Sequence, residues 1–178
     1  MPAVLIEARH PWGPVFVLRS RRCWRCLCPV SSPLKRIPVS RHILDSLSIN
    51  PHIEGNLIAD IGAGAGLPGI PLAILNPDKR FVLIDSNGKK TRFMFQAKIQ
   101  LGLGNITIEN CRIEHYQSKQ QIDMVMCRAF STLTDALAML QPIFMDSCRL
   151  LAMKGYYPHD EIAQLPEGFE LTKSIKLE

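Results

Sequence analysis

An apolar run, N-L-I-A-D-I (56–61), contains Asp60, and Gly62, Gly64 and Gly66 follow it at alternate positions, with Gly69 three residues further on. Glycines at that density after a strand signal a backbone that turns sharply and approaches a ligand closely. Asp85 ends a second apolar run, R-F-V-L-I-D (80–85), 21 residues after Gly64. There a carboxylate can take both hydroxyls of a ribose. Two cofactors fit this pair of features, a dinucleotide and S-adenosylmethionine. The dinucleotide form, G-x-G-x-x-G, requires a glycine where this chain has Leu67. S-adenosylmethionine has no pyrophosphate to cradle, and its amino and sulfonium groups are cationic, which suits Asp60. The spacing therefore favours S-adenosylmethionine over NAD.

These groups need elements to position them. Strands are expected at 57–61, 80–85, 106–109, 122–127, 149–153 and 169–175. Helices are expected at 41–49, ended by Asn50-Pro51, and at 68–75, 89–101, 133–144 and 159–165. In the helix over 89–101, Phe93, Ala97 and Leu101 recur every fourth residue as its apolar stripe. Strands alternating with helices give an α/β fold with a mostly parallel sheet covered on both faces.

Composition sets the outer bounds. At 178 residues, 47% hydrophobic and with a mean hydropathy near zero, the chain suits one sizeable globular domain. No apolar run reaches the ~20 residues of a membrane-spanning helix, so no membrane partner is expected. The net charge of +5 suggests an acidic partner until its distribution is examined. Lys35 and six arginines face Glu7 alone in the first forty residues, leaving the remainder at −1. Residues 1–38 carry six prolines and no sustained periodicity and are expected to be irregular or disordered; a domain over 39–178 follows. No second Cys/His pair at zinc spacing follows Cys23, Cys26 and Cys28, so no metal site is expected. Cys111, Cys127 and Cys148 stand singly in apolar contexts, as buried free thiols of a reducing compartment do. No signal peptide is recognisable, and a cytoplasmic protein is expected.

Four strings, S-R-H-I-L-D-S-L (40–47), D-I-G-A-G-A-G-L-P-G-I-P-L (60–72), L-I-D-S-N-G-K-K (83–90) and C-R-A-F-S (127–131), in this order and spacing, resemble the bacterial family of 16S rRNA guanine-N7 methyltransferases. The resemblance runs from about Ser40 to the end. It implies a Rossmann-like class I methyltransferase fold, S-adenosylmethionine as donor, and methylation of one guanine in small-subunit ribosomal RNA; a monomer is expected. It also implies cofactor contacts at Gly62, Leu67, Ile113, Glu114 and Arg128, to which the spacing adds Gly64 and Asp85. Guanine N7 already carries a lone pair, so no general base is required and no catalytic residue is assigned. For Arg128 three readings stand: it meets substrate phosphate or guanine O6, it orients the cofactor carboxylate, or it forms a structural ion pair. Arg41 either pairs with Asp45 at i, i+4 or meets RNA, and His42 lines either the pocket or the surface. Lys89, Lys90 and Arg92 open a helix whose dipole disfavours them, which suits RNA contact or a solvated face.

Two departures from the family set further expectations. Residues 1–38 do not resemble the amphipathic helices that precede R-H-I-L-D-S in the family, and the family continues past 174–178 into another strand. A shifted frame or altered start is the expected cause of the first, and a sheet lacking its last strand and keeping an unpaired edge is the expected result of the second. The alternative to an active enzyme is thus a fragment that binds cofactor with impaired turnover.

Overall fold

A computed structural model of the chain describes residues 6–10, 13–18, 39–128, 132–141, 143, 148–166, 169–171 and 173–175. In chain order its elements are β1 (Ile6–His10), β2 (Gly13–Leu18), α1 (Val39–Leu47), β3 (Leu57–Ile61), α2 (Gly69–Leu75), β4 (Arg80–Ile84) and α3 (Gly88–Gln100). There follow β5 (Ile106–Glu109), β6 (Met124–Arg128), α4 (Leu133–Leu140), β7 (Arg149–Met153), α5 (His159–Ala163), β8 (Glu170–Leu171) and β9 (Ser174–Ile175). Five strands run parallel in the order β5-β4-β3-β6-β7. The order reverses between β3 and β6, and ligands of doubly wound sheets bind at such a point, outside the carboxyl ends of the strands.

Burial explains why these runs are strands. All five residues of β3 and all five of β6 are buried, as expected of central parallel strands covered on both faces. Ile58, Phe81, Leu83, Met124 and Met126 pack with Ile70, Leu72 and Ala73 of α2 and Met94 of α3. Ala59, Ile61, Val82, Ile84 and Val125 turn to the other face and pack with Leu133, Leu137 and Leu140 of α4. The two-residue alternation of the strands thus divides one sequence between two cores.

Several expectations are corrected. The first 38 residues are not irregular throughout, since β1 and β2 form an antiparallel hairpin. β2 also pairs in parallel with β7 through Val15↔Leu150 and Phe16↔Leu151. An unpaired edge was expected; β7 does not provide it, being paired with β2, and β5 stands at one end of the strand order. The single strand expected over 169–175 is divided, β8 pairing antiparallel with β1 and β9 parallel with β2. α4 ends at Leu140 rather than at 144, and residues 142 and 144–147 lie outside the described residues. On α3 the stripe of Phe93, Ala97 and Leu101 is not the buried one. Thr91 and Met94 are buried instead, while Phe93 and Leu101 are each 54% exposed. Cys127 and Cys148 are buried free thiols as expected, whereas Cys111 is half-buried; Cys23, Cys26 and Cys28 lie outside the described residues.

Candidate functional site

The glycine loop is shaped by the strand beside it. The Ile84 carbonyl accepts the Gly62 N–H at 2.8 Å and the Ala63 N–H at 3.1 Å. Asp85, one residue past β4, accepts the Gly64 N–H on Oδ2 at 2.9 Å and the Asn87 N–H on Oδ1 at 2.8 Å. Gly62 and Gly64 have φ of 67° and 60°, a region that L side chains adopt at a cost. Gly69 is needed for space: a Cβ there would stand 2.7 Å from Asp60 Oδ2. That oxygen accepts the Gly69 N–H at 2.8 Å, so Asp60 ties the end of β3 to the first turn of α2.

A cavity of about 440 Å³ opens where these segments meet, lined by Gly62, Asp85 and Ser86 from the ends of β3 and β4 and by Cys111, Arg112, Ile113 and Glu114 beyond β5. Lys90, Arg128 and Met139 complete its polar and apolar walls. The volume falls in the range of small-molecule sites, roughly 300–1,000 Å³. Five of the seven expected cofactor residues, Gly62, Asp85, Ile113, Glu114 and Arg128, are brought together there. Gly64 and Leu67 are not among the lining residues; the Gly64 N–H donates to Asp85 and the Leu67 N–H to the Ala63 carbonyl at 3.1 Å.

Lys90, for which RNA contact or a solvated face was expected, lines the cavity, with Nζ 3.6 Å from Asp85 Oδ2. His42 was expected on the pocket or the surface, and it is buried. Its Nδ1 faces Arg128 Nη2 at 3.2 Å, and because a guanidinium only donates, Nδ1 is the acceptor. Burial, with Arg128 beside it, holds its pKa below the usual histidine range, which keeps the ring neutral and able to accept. Asp45 faces Arg128 as well, at 3.4 Å, so Arg128 has the ion-pair role among its three readings and lines the cavity too. The side chain of Arg41 lies outside the described residues. Lys89 and Arg92 are exposed on α3. Arg112, Cys111, Ser86 and Met139 had no signal in the sequence, because residues on separate loops and on α4 reach the cavity only through the tertiary fold.

Asp60 is buried and absent from the cavity lining. Burial raises its carboxyl to about 7 against the opposing pull of the Gly69 N–H and of Arg128, while Asp85 nearby raises it further. Its Oδ1 has no hydrogen-bond partner among the described residues. A buried acceptor left unmatched beside a ligand-sized cavity is a natural counterpart for a cationic group. Among the described residues no cluster of three or more His, Cys, Asp or Glu could hold a metal, and no helix is long and apolar enough to cross a membrane.

Comparison with known proteins agrees with this geometry. The GidB family model, described as rRNA small subunit methyltransferase G, matches residues 34–178. The ribosomal RNA small subunit methyltransferase G of Hahella chejuensis is 42% identical over 173 residues, covering 97% of this chain and 75% of its own length. That match reaches into the first 38 residues, which the sequence reading kept apart from the family. The protein of the same name from Nitrosococcus oceani is 50% identical over 139 residues, 78% of this chain and 65% of its own. Among solved structures, a coclaurine N-methyltransferase bound to N-methylheliamine and SAH superimposes with a TM-score of 0.53 at 13% identity, over 68% of this chain and 38% of that one. The last likeness is one of fold.

Proposed function

The chain belongs to the GidB family, rRNA small subunit methyltransferase G, and from that premise we propose that it transfers a methyl group from S-adenosylmethionine to N7 of a guanine in 16S ribosomal RNA. The observation that carries this reading is the cavity at the switch point, where Asp85 and the glycine loop meet Arg128 and Glu114. The domain concerned is that over 39–178, acting as a cytoplasmic monomer on the small-subunit RNA.

The residues present fit the cofactor. Asp85 and the loop at Gly62 suit a ribose, Ile113 and Glu114 border the space beside it, and the carboxyl of Asp60, buried next to the lining residue Ile61, adds negative charge that suits the cationic end. When bound, S-adenosylmethionine supplies a methyl group activated on a sulfonium. The chain's own task is to hold guanine N7 in line with that methyl and to exclude water, because N7 needs no proton removed. Arg128, oriented by His42 and Asp45, presents a fixed guanidinium at the cavity wall, suited to guanine O6 or to a phosphate. Incubation with labelled S-adenosylmethionine and small ribosomal subunits lacking the modification is expected to label 16S RNA, with N7-methylguanine at one position. Cofactor binding without label in either subunits or naked RNA would overturn the reading and leave a binding module.

A chemical probe reports on the cavity itself. Cys111 is half-buried in the lining, whereas Cys127 is buried and its thiol is pushed up to about 12 by burial. Because the thiolate is the reactive form, iodoacetamide is expected to modify Cys111 well before Cys127. Saturating S-adenosylhomocysteine is expected to protect Cys111, as read by peptide mass spectrometry. Equal modification with and without the ligand would place the cofactor elsewhere.

A further inference from the structure

The outer face of α3 combines two features that a solvated helix rarely shows together. Its sequence, G-K-K-T-R-F-M-F-Q-A-K-I-Q, carries four cations and no acid. It also leaves Phe93 54%, Phe95 55% and Ile99 63% exposed. At 100° per residue, Lys89, Arg92 and Gln96 lie in the middle of the exposed arc, with Phe95 and Ile99 at one margin and Phe93 at the other. Lys90, pointing inward, is compensated by Asp85. Lys89 and Arg92 have no side-chain partner among the described residues, although they stand near the positive end of the helix dipole.

We propose that this face is the docking surface for a single-stranded stretch of the RNA substrate, with Lys89 and Arg92 on phosphates and Phe93 and Phe95 stacking on unpaired bases. This deepens the proposed function and rests on it. The charge selects a polyanion, and the aromatic margins select one whose bases are splayed and unstacked, which is single-stranded RNA rather than a duplex. The position agrees as well. Lys90, on the same first turns as Lys89 and Arg92, lines the cofactor cavity, so a strand held on α3 passes close to the site of methyl transfer. A patch of phenylalanines alone would suit a second copy of the chain, but the uncompensated cations between them would then repel across the interface.

Two double variants test the assignment, Phe93→Ser with Phe95→Ser and Lys89→Gln with Arg92→Gln, each titrated with a single-stranded 16S fragment over a range of salt. The aromatic pair is expected to weaken RNA binding about tenfold or more with the salt slope unchanged. The charge pair is expected to lower the slope by about 1.4, two phosphates at roughly 0.7 each. Affinity for S-adenosylhomocysteine and the melting temperature should hold in both, since these side chains face solvent. Undiminished RNA affinity in both variants, with methyl transfer by the parent chain intact, overturns the docking face alone. Absence of RNA binding and transfer in the parent overturns the proposed function itself. Dimers of the parent that the aromatic pair converts to monomers, with RNA affinity unchanged, would assign the face to self-association instead.

Discussion

Replacing Asp85 with alanine is expected to lower the affinity for S-adenosylhomocysteine by about 10²-fold or more, the strongest effect of any single substitution at the cavity. The residue joins three segments, two of them through its side chain. Its two oxygens accept N–H groups from the glycine loop at Gly64 and from Asn87 at the start of α3, and its own carbonyl accepts Asn110 Nδ2 at 3.0 Å beyond β5. A carboxylate offers about four lone-pair sites, so these bonds leave acceptor capacity for ribose hydroxyls. Hydrogen bonds to a charged group contribute about 1.5–3 kcal/mol each, and two would be lost with the carboxylate. The fold would suffer too, because the buried Gly64 N–H would lose its acceptor, at a cost of about 1–3 kcal/mol. Asp85→Asn keeps one acceptor oxygen and should weaken binding much less. Calorimetric titration with thermal melts of both variants checks the ordering, and native affinity in Asp85→Ala would remove Asp85 from the cofactor site.

Asp85 and the loop were legible in the sequence because their signal is local: glycines at alternate positions and an acid at the end of the next apolar run. The parallel sheet was legible for a related reason, since buried parallel strands read as short continuous apolar runs. What was lost depends on orientation. A four-residue period on α3 shows that Phe93, Ala97 and Leu101 share a stripe, not which way the stripe faces. The start of that helix is pinned by Asn87, whose side chain accepts the Lys89 N–H, and by Lys90 beside Asp85, which leaves Thr91 and Met94 inward. His42 was equally undecided in the sequence, because its partner Arg128 is 86 residues away. In the first 38 residues the density of arginine and proline masked the short alternation of β1 and the apolar run of β2, and β7 supplied the strand edge that β2 needs.

Asp60→Asn is expected to remove a pH dependence that wild-type stability carries. An acid held at about 7 in the folded chain and near 3.9 in the unfolded one binds more protons folded than unfolded between those values. Stability therefore falls as pH rises from about 4 to about 7, and above that the full penalty applies, on the order of 4 kcal/mol. Asparagine keeps an acceptor for the Gly69 N–H and never ionises. The variant should melt with wild type near pH 4 and above it at pH 8, as thermal melts across that range would read. Ligand binding should move the other way. A cationic cofactor beside Asp60 favours the ionised form, so near pH 6 its binding to wild type releases a proton, and the observed enthalpy changes with the ionisation heat of the buffer. The variant should lose that buffer dependence. It should also lose the share of Asp60 in the preference for S-adenosylmethionine over S-adenosylhomocysteine that arises from the sulfonium charge, the rest being due to Asp85 and Glu114 in the cavity lining. An unchanged pH profile of stability in Asp60→Asn would mean that Asp60 is charged throughout this range, with Arg128 compensating it across the interior.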